Sequence, residues 1–244
     1  DEERLLKTIL DVIRKVLKES KDILRRVEEI LRRVIETAKE IHKEVKEIIE
    51  DVLRLLREND KLEELVREVA KRLKEVIDRW REVVERVAET LKRVLEEHEE
   101  VVRRVARELE ELLKRLREGE KLRAIEEVVK KVVRALEELS KELEKIVRTI
   151  VKLLRENVRR LEEILRRVVK LLRELVKLAK ERSREEEIEK RVREIKKEVE
   201  DLLRRSEELL KELLDRIRKL LEELKKRHED LLREVKKDLD EIRR

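Results

Sequence analysis

The chain has 244 residues, of which 55% are charged and 39% apolar, and it contains no Pro, Cys, Met, Phe or Tyr and only one Gly and one Trp. Its 70 basic and 64 acidic residues leave a net charge of +6, a balance that argues against the one-sided basic surface of a nucleic-acid-binding protein. The lack of Cys excludes disulfides and Cys-ligated metals, and apolar residues never run more than two in a row, which excludes a membrane-spanning helix.

The first predicted helix, residues 2–58, carries an apolar repeat of seven residues. One track of the repeat holds Leu6, Ile13, Ser20, Val27, Val34, Ile41, Ile48 and Leu55. A sustained repeat of this length predicts left-handed supercoiling of packed helices. About three apolar positions per heptad indicate a helix that faces two neighbours in a bundle rather than one partner in a coiled coil.

Three interruptions of the repeat mark the predicted turns. Asp60 with Glu63, and Ser183 with Glu186, match the capping box at a helix N-terminus. Gly119 stands where a left-handed residue closes a helix C-terminus. The chain is therefore predicted to form four helices of similar length.

The predicted helices span residues 2–58, 60–118, 121–181 and 184–243, and each is about 85–90 Å long. Short turns between such helices predict an all-α fold, an antiparallel up-down-up-down four-helix bundle that forms a single domain over residues 1–244. The repeat also runs through Asn59 without slipping. A single helix over residues 1–118, giving one long hairpin, is therefore the alternative architecture.

A few polar or aromatic side chains interrupt the apolar tracks, and their distances from the turns group them by level. His98 lies 21 residues before Gly119 and Ser140 lies 21 residues after it, so the two share a level of the bundle. The same counting predicts one level of Ser20, His98, Ser140 and His228, a second of Thr37, His42, Trp80, Asn157 and Ser206, and Thr90 with Thr149 between them. His42 lies nearer the flank of its helix than the others.

These levels predict buried hydrogen-bond networks. A buried polar group without a partner costs about 1–3 kcal/mol, so such groups are retained where they can bond to each other. In a uniform Leu, Val and Ile core, the networks would fix helix order and register, as a buried Asn does in coiled coils.

Binding and catalytic roles for the same residues are the alternatives. His98 and His228 could hold a metal or a haem, but none of the three His has the Glu-x-x-His spacing of bundle metal sites, and Ser20 and Ser140 are poor metal ligands. A Ser beside a His suggests a nucleophile and its base, yet the sequence offers no inward carboxylate or Gly-rich loop to complete such a site. We expect no enzyme, no metal and no cofactor. A binding module, or an element that responds to pH through buried His, remains the alternative function.

The whole chain resembles de novo designed single-chain helical bundles with buried hydrogen-bond networks. The resemblance rests on the restricted alphabet, the strict heptads, the equal helices with their caps, and the layered Ser, Thr, Asn and His. It implies a hyperstable, soluble structural scaffold with no natural activity or compartment, which would reside in the cytoplasm of an expression host. For such a scaffold we expect a monomer with no obligatory partner, although self-association is left open, and composition and charge argue against nucleic acid and membrane as partners. The chain departs from bundles whose networks contain only Asn, Ser and Thr, because three of the residues on or beside its apolar tracks are His.

Overall fold

The computed structural model describes residues 2–58, 61–116, 120–181 and 184–244. It contains four helices: α1 (Glu2–Leu55), α2 (Leu62–Lys114), α3 (Glu120–Lys180) and α4 (Glu185–Arg243). No strand occurs in these ranges. The fold is the predicted all-α four-helix bundle. The long-hairpin alternative does not describe it, because α1 ends at Leu55 and a separate helix begins at Leu62.

The first two helices end a few residues before their predicted ends. The N–H of Glu58 donates to the carbonyl of Leu55 at 3.1 Å, and the N–H of Leu116 donates to that of Leu113 at 3.1 Å. Bonds of this three-residue spacing tighten the last turn of a helix into 3₁₀ geometry. The predicted caps at Asp60, Gly119 and Ser183 lie outside the described residues.

The chain divides into two compact units, and each takes one segment from every helix. Unit 1 comprises Asp1–Leu31, Glu89–Ile150 and Arg216–Arg244, and unit 2 comprises Arg32–Ala88 and Val151–Asp215. The single domain over residues 1–244 stays a prediction.

In unit 1, ion pairs show that neighbouring helices run antiparallel. Between α1 and α2, Arg104 pairs with Glu19 at 2.9 Å and Arg26 pairs with Glu97 at 2.8 Å, so residue numbers fall in one helix as they rise in the other. Between α3 and α4, Lys131 pairs with Glu234 and Arg227 pairs with Glu142 in the same inverse order.

Unit 2 has the same antiparallel arrangement. Between α2 and α3, Arg155 pairs with Glu85 at 3.0 Å and Arg81 pairs with Glu162. Between α3 and α4, Arg167 pairs with Glu198 at 3.0 Å. Each unit is therefore a four-helix bundle with charged residues along its outer edges.

The cores consist almost entirely of aliphatic side chains on the heptad tracks. Ile9, Ile13 and Leu24 in unit 1, and Leu31 at its boundary, are essentially inaccessible to solvent. Burying one such side chain is worth about 1.5–3 kcal/mol. Within the described ranges, none of the helices is both long enough and apolar enough to cross a membrane.

Candidate functional site: two buried hydrogen-bond networks

Seven polar residues and Trp80 are buried in the described part of the chain, and they form two hydrogen-bonded groups. Network A consists of Ser20, His98, Ser140 and His228, and it lies in unit 1. Network B consists of His42, Trp80, Asn157 and Ser206, and it lies in unit 2. Each network takes one side chain from each of the four helices.

The heptad repeat is what points these side chains inward. Ser20 replaces an apolar residue on the track between Ile13 and Val27, both of which are fully buried. His98 replaces one between Leu91 and Val105 in the same way. Because residues seven apart on a supercoiled helix share a face, a polar side chain on the track enters the core with its apolar neighbours.

Network A converges on the hydroxyl of Ser20. The Oγ of Ser20 lies 2.6 Å from Nε2 of His98 and 2.6 Å from Nε2 of His228. The Nδ1 of His98 lies 2.7 Å from Oγ of Ser140, and the Nδ1 of His228 lies 2.5 Å from the carbonyl oxygen of Leu224. The Oγ of Ser20 therefore joins two imidazole rings from two other helices.

The carbonyl oxygen of Leu224, where network A ends, determines which atom donates in each of its hydrogen bonds when both rings are neutral. A carbonyl only accepts, so Nδ1 of His228 donates to Leu224, and Nε2 of the neutral ring accepts the proton of Ser20. The Oγ of Ser20 then accepts from the N–H at Nε2 of His98, whose Nδ1 accepts from the hydroxyl of Ser140. Protons are thus donated from Ser140 towards Leu224, with both His in defined neutral tautomers.

Network B is directional for the same reason. The indole N–H of Trp80 donates to Oδ1 of Asn157 at 3.0 Å, and Nδ2 of Asn157 donates to Oγ of Ser206 at 3.0 Å. The Nδ1 of His42 lies 2.6 Å from the carbonyl of Ala38, to which it donates. The Nε2 of His42 therefore accepts the proton of Ser206, 3.0 Å away.

Burial lowers the pKa of all three imidazoles. Desolvation lowers the pKa of His42, partly offset by its bond to the Ala38 carbonyl and by the charge of Glu207. It also lowers the pKa of His228. Burial, together with charge on His228, lowers the pKa of His98 to about 4. The neutral tautomers assigned from the geometry are therefore the forms expected near neutral pH.

The structure brings together the first predicted level and four of the five residues of the second. Thr37 is half-buried and donates to the carbonyl of Arg33 in its own helix. Thr149 is exposed and donates to Lys145 in the same way, and Thr90 is also exposed. His42, which the sequence places nearer the flank, is buried.

Two features of the site do not follow from the sequence pattern. One is the pair of backbone carbonyls, Ala38 and Leu224, on which the networks end. A His four residues after a core position permits such a bond, but His98 follows the buried Val94 in the same way and bonds to Ser140 instead, so the spacing alone does not predict these carbonyls. The other is the ion pair of Lys225 with Glu28, at 2.6 Å, whose side chains are only 16% and 13% exposed. Lys225 and Glu28 lie beside the core tracks rather than on them, so the heptad pattern does not reveal this ion pair.

Network A contains a Ser and a His in the geometry of a nucleophile and its base, but the pair is closed to solvent. The hydroxyl of Ser20 donates to His228, and Ser20 has 0% of its surface exposed. Among the described residues, no group of three or more His, Asp or Glu side chains is arranged to hold a metal ion. The arrangement can therefore hold and orient protons.

The fold and the networks define the class of this protein: it is an all-α four-helix bundle with polar networks buried among aliphatic layers. No protein-family model and no curated protein sequence matches the chain. A solved structure described as "Computationally designed three helix bundle" is similar to it, with 20% sequence identity and a TM-score of 0.45 over 98% of this chain and 91% of that one. A likeness this low supports no conclusion about function.

Proposed function

We propose that this chain is a designed structural scaffold without enzymatic activity, in which the two networks fix how the helices pair. The observation that carries the proposal is that each network joins all four helices through buried hydrogen bonds between side chains. A purely aliphatic core tolerates sliding of one helix past another, whereas a slid register would leave buried polar groups without partners.

The near-complete pairing of buried polar atoms supports this proposal. Among the described residues, one buried side-chain oxygen, Oε1 of Glu28, has no hydrogen-bond partner. A buried polar network adds specificity only where all its members are paired, because a half-paired network is worse than an apolar core. Networks A and B meet that condition at each of their ring nitrogens and hydroxyl oxygens.

The test compares the parent chain with an apolar variant of network A, Ser20→Ala, His98→Leu, Ser140→Ala and His228→Leu. We expect the variant to be as stable as the parent or more so, since apolar groups replace polar ones, but to populate more than one helix register. Distances between spin labels on α1 and α4, measured by electron–electron double resonance, would show one population in the parent and several in the variant.

A single substitution provides the matched control. Ser20→Ala leaves two imidazole nitrogens without the hydroxyl that joins them, so it should destabilise the protein by about 1–3 kcal/mol while keeping one register. If the fourfold apolar variant also keeps a single distance population, the networks do not set the register and the proposal fails.

A further inference from the structure

Network A differs from network B in whether the hydrogen bonds between its side chains can be reversed. In network A, every internal member is a hydroxyl or an imidazole, and each of these groups can both donate and accept. Ser140, the first donor of network A, is also a hydroxyl. In network B the first donor is the indole N–H of Trp80, which cannot accept a hydrogen bond.

We propose that network A is a proton-binding site that holds one added proton shared between His98 and His228, and that the hydroxyl of Ser140 turns away from His98 as this proton arrives. The site is independent of the scaffold role proposed above, since it concerns what the network binds rather than how the helices pair.

The first form of the occupied site places the proton on His98. An added proton at Nδ1 of His98 makes that atom a donor, and Oγ of Ser140, 2.7 Å away, becomes its acceptor. The hydroxyl proton of Ser140 must then point elsewhere. A helical Ser can donate to the carbonyl four residues earlier, which is that of Leu136. All other bonds of the network stay as they are.

The second form moves the charge to His228 without further rearrangement of heavy atoms. The proton at Nε2 of His98 passes to Oγ of Ser20, while the hydroxyl proton of Ser20 passes to Nε2 of His228. His98 is left neutral with its proton at Nδ1, still bonded to Ser140. Both transfers occur over 2.6 Å, and every donor in the chain keeps an acceptor. The two His therefore share one proton.

A second proton is opposed by the same geometry. With both rings cationic, two N–H groups would point at the single oxygen of Ser20, and its hydroxyl proton would have to leave the network. Charge on His228 adds to burial in lowering the pKa of His98, which falls to about 4. The site thus takes one proton well before it takes two.

Solvent reaches the site at Ser140. This residue is 8% exposed and lines a surface groove of about 560 Å³ between α2 and α3, whereas Ser20 is 0% exposed. Charged groups from all four helices border the network. Lys21 of α1 and Arg227 of α4 lie near His228. The charged residues at the groove are Glu99, Arg103 and Arg107 of α2 and Glu137, Lys141 and Glu144 of α3. Lys21 and Arg227 lower the pKa of His228 further, so the site fills below the ordinary pH range of His.

Network B supplies a control within the same molecule. If Nε2 of His42 gains a proton, Oγ of Ser206 faces two donors, that ring and Nδ2 of Asn157. Turning the amide of Asn157 over would place its NH₂ against the N–H of Trp80. Network B therefore cannot reverse, and His42 keeps its proton at Nδ1 throughout.

The experiment follows the ring nitrogens of the full-length, ¹⁵N-labelled protein by long-range ¹H–¹⁵N correlation from about pH 7.5 to about pH 4. At the high-pH end we expect the Nε2–H tautomer for His98 and the Nδ1–H tautomer for His228 and His42. On acidification, His98 and His228 should titrate with one common midpoint and one proton between them, and His98 should gain a proton at Nδ1. His42 should titrate separately.

Two variants test the role of the Ser140 hydroxyl. Ser140→Ala removes the acceptor for the proton at Nδ1 of His98, so the common midpoint should fall by about 0.5–1 pH unit, a three- to tenfold loss of proton affinity. Thr149→Ala, on the same helix and outside the network, should leave it unchanged. Separate midpoints for the two rings, a His98 that keeps only its Nε2 proton, or equal midpoints in the parent and Ser140→Ala would each overturn the proposal. The tautomers of the parent protein decide the matter even if Ser140→Ala fails to fold.

Discussion

At the scale of single residues, the oxygen of Ser20 shows how one small side chain can organise two large ones. It is completely buried and both donates and accepts, so it joins two imidazoles that come from two other helices. A hydroxyl is the smallest side-chain group with this dual capacity. An Ala here would fill nearly the same volume and lose both bonds.

The pH dependence of stability follows from the three buried rings. Unfolding returns each ring to a pKa near 6.5, whereas the folded pKa is lower, so the unfolded chain binds protons first as the pH falls. The free energy of unfolding should therefore be constant above about pH 7 and should decline between pH 6.5 and about 4. For His98 alone the loss amounts to about 3 kcal/mol.

Guanidinium unfolding at a series of pH values measures this decline. The variant His98→Asn with His228→Asn removes both rings of network A and should lose at least about 3 kcal/mol less than the parent over the same interval. Carboxylates titrate in both proteins and cancel in the difference. Equal pH profiles for the parent and the double variant would contradict the prediction.

The indole of Trp80 makes the only bond to Oδ1 of Asn157 that the structure shows. Trp80→Phe keeps an aromatic ring in the core but leaves that buried oxygen without a donor, so it should cost about 1–3 kcal/mol beyond the loss of packing. The same substitution in an Asn157→Val background should lack this excess, because the orphaned oxygen is absent. A double-mutant cycle from chemical unfolding separates the two contributions.

At the scale of helices, ion pairs differ greatly in how exposed they are. The pair of Lys225 with Glu28 is nearly buried, at 16% and 13% exposure. The pair of Arg86 with Glu82 is 79% and 70% exposed and spans one turn of α2. Surface pairs contribute about 0–1 kcal/mol, whereas removing one partner of a buried pair leaves a poorly solvated charge.

Lys225→Met should therefore destabilise unit 1 by about 1–3 kcal/mol, since Glu28 loses its cation and already has one oxygen without a partner. Arg86→Met, which also replaces a long cation by a thioether, should change stability by less than about 1 kcal/mol. Urea or guanidinium unfolding of the two variants beside the parent checks the contrast. Equal losses would mean that burial of the Lys225 pair has no energetic consequence.

At the scale of the whole molecule, the arrangement of potential metal ligands in the described parts of the chain predicts little response to metals. No group of three or more potential ligands exists there, and the rings of network A already bond to hydroxyls and a carbonyl. Added Zn²⁺, or a chelator, should therefore shift the melting temperature by less than about 2 °C. A rise of many degrees on adding Zn²⁺ would reveal a site that binds the folded state.

The fold was largely predictable because one rule governs nearly every position. The seven-residue repeat gave the helices, their number and the buried face, and the counted distances from the turns predicted that Ser20, His98, Ser140 and His228 would meet. The repeat could not give the direction of the bonds, because this depends on the backbone carbonyl of Leu224, which the pattern does not encode. Counting from the turns also predicted Thr37 in the second level and Thr149 between the two levels, although a Thr beside the track can bond to its own helix instead.

The position of Trp80 means that fluorescence reports on only one of the two units. The sole fluorophore lies in unit 2 and is shielded from solvent, while unit 1 contains no aromatic ring except imidazole. Emission therefore reports on unit 2 alone, whereas far-ultraviolet circular dichroism sums over every helix. Where the two traces coincide during denaturation, the units melt together. Where emission changes later than dichroism, unit 1 has melted without any change in the light emitted.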